Sequence, residues 1–169
     1  MRIKFLSVFA AAALLAACET APDSSANAAG SGAVTSSTQP TTAAPAPAGP
    51  TPGTAEDFVV NVGDRVFFGF DKSDLTTEAR TTLERQAFWL RKYPSLTVSI
   101  EGHADERGTR EYNLALGERR ATSARDYLVS LGIDPSRLTT ISYGKERPAV
   151  LGSNEEAWAQ NRRAVTVVN

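Results

Sequence analysis

The sequence contains one cysteine, Cys18, and one histidine, His103, among its 169 residues. A disulfide within the chain needs two cysteines, and zinc sites are built from several cysteine and histidine ligands. Because neither set is available, the chain offers no disulfide framework and no cysteine–histidine metal centre. Nothing in the sequence calls for a cofactor.

The sequence also has no large excess of positive or of negative charge. When Arg2, Lys4, Glu19 and Asp23 near the amino terminus are set aside, the rest of the chain has 16 basic and 17 acidic residues. Domains that bind nucleic acid are typically strongly basic, because they neutralise backbone phosphates. The near-neutral balance therefore argues against nucleic acid as a partner.

Only one long hydrophobic run is present, over residues 5–17. It is short for a membrane-spanning helix, and Arg2 and Lys4 precede it, which is typical of a secretory signal. Small residues at its end lead directly into Cys18 and resemble a bacterial lipobox, in which the cysteine is lipidated and becomes the first residue of the mature protein. We therefore predict a signal peptide over 1–17 and a lipid on Cys18. The alternative is an ordinary secretory leader in which Cys18 has no such role.

Residues 18–55 lack aromatic side chains and have almost no large aliphatic ones, being mainly Ala, Pro, Ser, Thr and Gly. Such a segment cannot bury enough apolar surface to offset the entropy lost on ordering. Its proline-rich part, residues 40–52, favours extended conformations. We predict a disordered linker between the lipidated Cys18 and a folded domain at 56–169.

Hydrophobic periodicity in residues 56–169 predicts alternating strands and helices. The first strand is predicted to place Val66, Phe68 and Phe70 on one face. Thr76 and Thr109 are suited to cap the amino-terminal ends of two helices, which Pro94 and Gly132 should end. The predicted strands cover residues 65–70, 96–101, 138–143 and 164–168, and a short helix is predicted around 155–160.

Helical connections between the first three strands predict that these strands are parallel neighbours. The last strand is predicted to run antiparallel to at least one neighbour. The expected fold is therefore an α/β (α+β) two-layer sandwich, with a mixed four-stranded sheet and helices on one face.

The segment from Glu101 to Ala121 has the pattern most suggestive of ligand binding. Asp105 follows a predicted strand, and Arg120 lies on the next helix with Asn113 and Leu116 at i, i+3 and i+7 spacing, which places these three on one helical face. Arg119 is rotated by about 100° from Arg120 and should point elsewhere. A carboxylate and a guanidinium on adjoining elements suit a ligand that has both an amine and a carboxylate. The alternative is a plain Asp105–Arg120 salt bridge that braces the turn against the helix.

Several segments of the domain resemble the peptidoglycan-associated lipoprotein (Pal) family and, more broadly, the OmpA-like C-terminal domain. They are Phe-Asp at 70–71, Gly-His-Ala-Asp-Glu-Arg-Gly-Thr at 102–109, Glu-Tyr-Asn at 111–113, Leu-Gly-Glu-Arg-Arg-Ala at 116–121, Ser-Tyr-Gly-Lys-Glu at 142–146 and Asn-Arg-Arg-Ala at 161–164. The resemblance covers residues 56–169 in order, and the lipobox and linker match the Pal family in particular. The chain departs from the commonest pattern at Gly69 and Arg110.

The resemblance implies a protein without enzymatic activity that binds peptidoglycan through the diaminopimelate of the stem peptide. It places Asp105 and Arg120 at the two main ligand-binding positions. The surrounding pocket is implied to contain Asp71, Thr109, Asn113 and Leu116.

The resemblance also implies a place in the cell and a set of partners. These are a lipid anchor in the outer membrane with the domain facing the periplasm, an interaction with TolB and possibly TolA, and a role in the Tol–Pal system in envelope integrity and constriction at cell division. Glu19 after the cysteine agrees with sorting to the outer membrane. The alternative is another OmpA-like wall-binding lipoprotein without Tol partners.

His103 suggests a rival class of function, a hydrolase. It shares a predicted strand face with Glu101 and Asp105, and such a trio can in principle hold a metal or transfer protons. The sequence has no second histidine and no nucleophile–base spacing that would support this reading. We expect His103 to form hydrogen bonds with the turn or the ligand instead.

Overall fold

The computed structural model describes residues 49–169. The predicted signal peptide 1–17, Cys18 and the linker up to residue 48 lie outside this part of the chain. Residues 51–55, which the sequence analysis assigns to the linker, include a hydrogen-bonded turn: the Thr54 amide and hydroxyl both donate to the Thr51 carbonyl. Within the described residues, no helix combines the length and apolar character needed to cross a bilayer.

Helices and strands alternate along the domain, as the periodicity predicts. In chain order they are α1 (Ala55–Asp57), which continues as a π-helical turn (Phe58–Val62), β1 (Arg65–Phe67), α2 (Thr77–Lys92), β2 (Val98–His103), α3 (Arg110–Ser130), a 3₁₀ turn (Pro135–Arg137), β3 (Leu138–Gly144), α4 (Glu155–Asn161) and β4 (Arg163–Val168). The hydroxyls of Thr76 and Thr109 accept hydrogen bonds from the amides of Ala79 and Tyr112. Both predicted helix caps are therefore confirmed.

The four strands form one mixed sheet in the order β1-β4-β2-β3. β4 is antiparallel to both β1 and β2, and β2 is parallel to β3. The prediction that the first three strands are neighbours is wrong for β1. The last strand inserts between β1 and β2 and pairs with both, because a helical connection fixes strand direction without requiring adjacency.

Both long helices cover the same face of the sheet. Ala164 of β4 is paired with Val66 of β1 on one side and with Gly102 of β2 on the other, so these three residues point to the same face. Gly102 faces Gly117 of α3, while Thr166, two residues along β4 from Ala164, donates a hydrogen bond to Gln86 of α2. The predicted two-layer sandwich is confirmed.

The core lies between this face and the helices. It is built from aliphatic, aromatic and alanine side chains, namely Phe58, Val62, Val66, Phe68, Ala79, Leu83, Ala87, Trp89, Leu90, Val98, Ile100, Ala121, Ala124, Leu128, Ile133, Leu138 and Ala164. The small residues on α3 let the helix lie close to β2, which brings the end of β2 and the start of α3 together.

The first strand is shorter than predicted, and Phe70 is not in the core. The Phe68 amide still donates to the Arg162 carbonyl, but the chain then leaves the sheet and turns through Asp71, whose φ is 55°. The side chain of Phe70 is 59% exposed as a result. Hydrophobic alternation predicted this position wrongly because the turn at Asp71, four residues beyond the end of β1, redirects the side chain.

Gly117 is expected to be essential for the approach of α3 to the sheet. A Cβ atom at this position would lie 2.8 Å from the Gly102 carbonyl oxygen and closer still to the Ser142 hydroxyl. Because a backbone atom cannot move aside without shifting the strand, Gly117→Ala should destabilise the domain by about 2–3 kcal/mol in urea unfolding. Gly69→Ala is the control, since its Cβ would make only ordinary contact with Lys72. Equal stability of the two variants would contradict this packing.

Candidate functional site

The candidate site lies where β2 ends and α3 begins. The Ala104 amide donates to the Gly144 carbonyl at 2.8 Å, which extends the pairing of β2 with β3 by one step. The chain then turns through residues 105–109, with Gly108 at a φ of 93° that glycine adopts without strain. This turn carries Asp105 to the amino-terminal end of α3, where the helix dipole favours a negative charge.

A cavity of about 200 Å³ opens at this point. Four of the six predicted ligand-binding residues line it: Asp71, Asp105, Asn113 and Leu116. The rest of the lining consists of Phe70, Arg107, Gly108 and Tyr112. The structure therefore brings together residues from the turn after β1, the turn after β2 and the first two turns of α3.

Asp105 is only 5% exposed, and its carboxylate is occupied by arginine. Arg107 binds it with two parallel contacts, Nη2 to Oδ2 at 2.7 Å and Nε to Oδ1 at 3.1 Å, and Nη1 of Arg162 lies 3.5 Å from Oδ2. Burial by itself raises the pKa of Asp105, but the hydrogen bonds and charge of Arg107, with the charge of Arg162, outweigh it and hold the pKa below its usual value. The carboxylate is therefore ionised at neutral pH.

Within the described residues, the Arg120 guanidinium forms no ion pair with Asp105 within 4 Å. The alternative of a direct Asp105–Arg120 salt bridge between the turn and the helix is therefore wrong. The Arg120 side chain is 0% exposed, and its guanidinium donates to three backbone carbonyls: His103 at 2.7 Å, Lys72 at 2.8 Å and Gly69 at 3.1 Å. Burial lowers the pKa of Arg120 to about 10, so it stays charged at neutral pH. Arg120 thus connects the turn after β1 to the end of β2, and it is not among the residues that line the cavity.

The other predicted residues have distinct positions around the cavity. Thr109 is exposed and caps α3 at the rim, and Asp71 accepts a hydrogen bond from the Tyr112 hydroxyl. Asn113 is buried, and its Nδ2 donates to the Arg107 carbonyl at 2.8 Å. Leu116 contributes an apolar wall. A ligand role for each of these residues stays a prediction.

Sequence reasoning missed Arg107 and assigned no ligand-site role to Arg162 or Trp158. The Arg107 guanidinium lies 4.1 Å from the ring centre of Phe70 and 4.0 Å from that of Trp158. Arg162 donates to the Phe68 carbonyl and to Glu155 at 2.7 Å. A signal for Arg107 was present, because an arginine two residues after an aspartate in a turn can fold back onto its carboxylate. Trp158 comes from a distant helix and gave no such local signal.

His103 does not take part in a metal or proton-transfer cluster with Glu101 and Asp105. Its Nε2 lies 3.9 Å from the Glu101 carboxylate, and no group of three potential metal ligands occurs among the residues that the structure describes. Both ring nitrogens are buried without a hydrogen-bond partner among the described residues, so the expected bond to the turn is not formed, and a bond to a ligand stays a prediction. Burial first, and then the charge of Arg163, lowers the pKa of His103 to about 4.

This buried histidine predicts a pH dependence of stability. Its pKa is lower in the folded state than in the unfolded chain, so the unfolded chain binds the extra proton between pH 6.5 and 4. Stability should therefore be intact above pH 6.5 and fall as the pH drops to 4, by on the order of 2–3 kcal/mol. His103→Phe should remove this part of the decline in urea unfolding at stepped pH. An unchanged slope in the variant would show that His103 is not responsible.

Comparison with known proteins places the chain in a family. The model of the OmpA family matches residues 67–162. The peptidoglycan-associated lipoprotein of Mesorhizobium japonicum is 60% identical over 119 residues, which are 70% of this chain and 71% of that protein. The chain belongs to the OmpA family and to the peptidoglycan-associated lipoproteins.

Two further relatives support this assignment. The peptidoglycan-associated lipoprotein of Brucella melitensis is 58% identical over 119 residues, covering 70% of this chain and 71% of that protein. The crystal structure of the peptidoglycan-associated lipoprotein from Burkholderia pseudomallei has a TM-score of 0.61 and 42% identity, and the match covers 63% of this chain and 90% of that one. The resemblance predicted from the sequence, and with it the OmpA-like fold, is confirmed.

A larger groove, of about 570 Å³, lies between residues 52–62 and α2. Its lining combines the aromatic side chains of Phe88 and Trp89 with the opposite charges of Glu84 and Lys92. None of the residues that carry the family resemblance lines it. The smaller cavity at Asp105 is therefore the candidate ligand site of this OmpA-like domain.

Proposed function

We propose that this protein is a non-catalytic lipoprotein that holds the outer membrane to the cell wall by binding the diaminopimelate of peptidoglycan stem peptides. The family membership supports an association with peptidoglycan, since the relatives carry that name. The observation that carries the chemical part of the proposal is the buried, ionised Asp105 in the wall of a cavity, with three guanidinium groups around it.

The charges at the cavity suit a zwitterion better than a simple ion. Asp105 and Asp71 line the cavity and can accept an ammonium group, while Arg107 lines it and the charge of Arg120, which does not line it, interacts with Asp105. A lone cation would leave the guanidinium groups without a new partner, and a lone anion would face Asp105. Each end of diaminopimelate carries one amine and one carboxylate on the same carbon, so it matches both signs at once.

In this proposal each predicted residue has a role. Asp105 binds the ligand ammonium group, and Asn113 bonds a ligand amide. Arg120 supplies positive charge for the ligand carboxylate without lining the cavity, since its buried guanidinium stays charged at neutral pH. The methylene chain packs on Leu116, while Asp71 and Thr109 form the rim.

Co-sedimentation of the full chain with purified cell walls tests this function. We expect binding to walls that contain diaminopimelate and at least about tenfold weaker binding to walls with lysine at that position. Equal binding to both walls would contradict the ligand assignment. Soluble wall fragments released during the incubation would instead support the rival hydrolase.

The anchor and the partners are also part of the proposal. Lipidation of Cys18 would place the domain on the periplasmic side of the outer membrane, where TolB, and possibly TolA, would bind it within the Tol–Pal system during constriction. An affinity pull-down with purified TolB separates this from the alternative of an OmpA-like lipoprotein without Tol partners. Capture of TolB supports the first, and its absence supports the second.

Cys18→Ser should release the protein from membranes into the soluble fraction. More than one acyl chain makes membrane attachment effectively permanent, because each buried methylene contributes about 0.8 kcal/mol. Ser24→Ala, a neighbouring substitution in the linker, should leave the protein with the membranes. Immunoblots of fractionated cells would show the difference, and membrane retention of the Cys18 variant would exclude lipidation as the anchor.

A further inference from the structure

The bond between Arg107 and Asp105 occupies the place that the proposed function assigns to a ligand ammonium group. The guanidinium binds both carboxylate oxygens, and the Arg107 amide donates to the same carboxylate at 3.1 Å. Oδ1 already accepts two of these bonds and Oδ2 one, with Nη1 of Arg162 3.5 Å from Oδ2, so a ligand amine would find at most one acceptor position left on Asp105. Full pairing of a ligand ammonium group with Asp105 therefore requires the Arg107 side chain to move.

Arg107 is also the most exposed of the three surrounding arginines. Its side chain is 32% exposed, and beyond Asp105 it stacks on two aromatic rings and lies 4.0 Å from Glu155. Arg120 is fixed by three carbonyls, and Arg162 is buried with bonds to the Phe68 carbonyl and Glu155. The backbone of Arg107 is held in place by Asn113, so a displaced guanidinium stays beside the cavity.

We infer that Arg107 determines ligand specificity by exchanging partners: its guanidinium leaves Asp105 for the ligand carboxylate when the ligand ammonium group takes Asp105. This inference rests on the proposed function and adds a specificity residue to it. A ligand with only amines displaces Arg107 without giving it a new partner. A ligand with only carboxylates has no ammonium group to bind Asp105. The exchange therefore favours a compound with both groups on one carbon.

Three related compounds test the exchange on the full chain in detergent. They are diaminopimelate, 1,5-diaminopentane, which lacks both carboxylates, and pimelate, which lacks both amines. The wild-type protein should bind diaminopimelate about tenfold or more tightly than either analogue in calorimetric titrations. Arg107→Met keeps the length of the side chain but not its charge.

In Arg107→Met, Asp105 loses both side-chain bonds from residue 107, and the partner for the ligand carboxylate is lost. Diaminopentane should therefore bind more tightly than to the wild-type protein and diaminopimelate more weakly, so that the preference between them falls about tenfold. Arg107→Lys keeps the charge but not the planar fork, and it should retain an intermediate preference. If either variant keeps the wild-type ratio of affinities with the fold intact by circular dichroism, the inference is overturned.

Trp158 provides a second readout that does not depend on affinity. Because its ring stacks on Arg107, its fluorescence should change when diaminopimelate displaces the guanidinium in the wild-type protein. The change should be absent in Trp158→Phe and in Arg107→Met. Binding of diaminopimelate without any change in Trp158 emission would show that Arg107 stays in place. If no form of the protein binds diaminopimelate, the proposed function itself fails, and the inference fails with it.

Discussion

Asp105→Asn should abolish binding to peptidoglycan. The substitution keeps the size of the side chain but removes the negative charge that the proposal assigns to the ligand ammonium group. A buried charge pair that loses one partner costs about 2–5 kcal/mol, which corresponds to an affinity loss of roughly 30-fold to several thousandfold. Co-sedimentation with purified wall, quantified over a range of wall concentrations, measures the loss.

The matched control for this prediction is Asp126→Asn. Asp126 is exposed on the same helix that borders the cavity, where it lies 3.6 Å from Arg125. Its substitution changes the net charge by the same amount without touching the cavity, so wall binding should be unchanged. Similar losses in both variants would mean that overall charge, and not the cavity, controls the interaction.

Arg120→Met should both destabilise the domain and abolish wall binding, whereas Arg119→Met should do neither to a comparable degree. Loss of the Arg120 guanidinium removes the donor from the buried carbonyl of His103 and from the partly buried carbonyls of Lys72 and Gly69, at a cost of about 3–5 kcal/mol in total. Arg119 is exposed, and its guanidinium lies 5.8 Å from the Tyr112 ring centre. Urea unfolding and wall co-sedimentation measure the two effects.

These neighbouring arginines make the test specific to position. They have the same side chain and lie on the same helix, but Arg120 is buried and bound to three carbonyls, whereas Arg119 is exposed. Wall binding of Arg120→Met should be measured at low temperature, where circular dichroism can establish that the fold is intact. Equal losses of binding for the two variants under those conditions would contradict the assignment of Arg120 to the ligand face.

The features that the sequence predicted well depend on local interactions. The hydroxyls of Thr76 and Thr109 cap their helices by accepting a hydrogen bond from the amide three residues further along the chain. Because both partners of each cap are close in sequence, long-range contacts do not easily override it. The placement of Asn113, Leu116 and Arg120 on one buried face follows from helical geometry alone. The motif at 102–109 identified the turn that carries Asp105.

The features that it predicted wrongly depend on distant parts of the chain. The insertion of β4 between β1 and β2 is decided by strand pairing that hydrophobic alternation does not encode. The partners of Arg120 are backbone carbonyls, which every residue has, so no residue type marked them in advance. Phe70 was predicted to share a strand face with Val66 and Phe68, whereas the turn at Asp71 places it against the Arg107 guanidinium.

The position of the ligand is the most direct test of the account. Backbone amide NMR spectra of the full chain in detergent should be recorded while a stem peptide containing diaminopimelate is added. The shifts should be concentrated at the cavity, in residues 105–116 and around Asp71. Shifts concentrated instead along the groove beside Phe88 and Trp89, with the cavity residues unchanged, would contradict it.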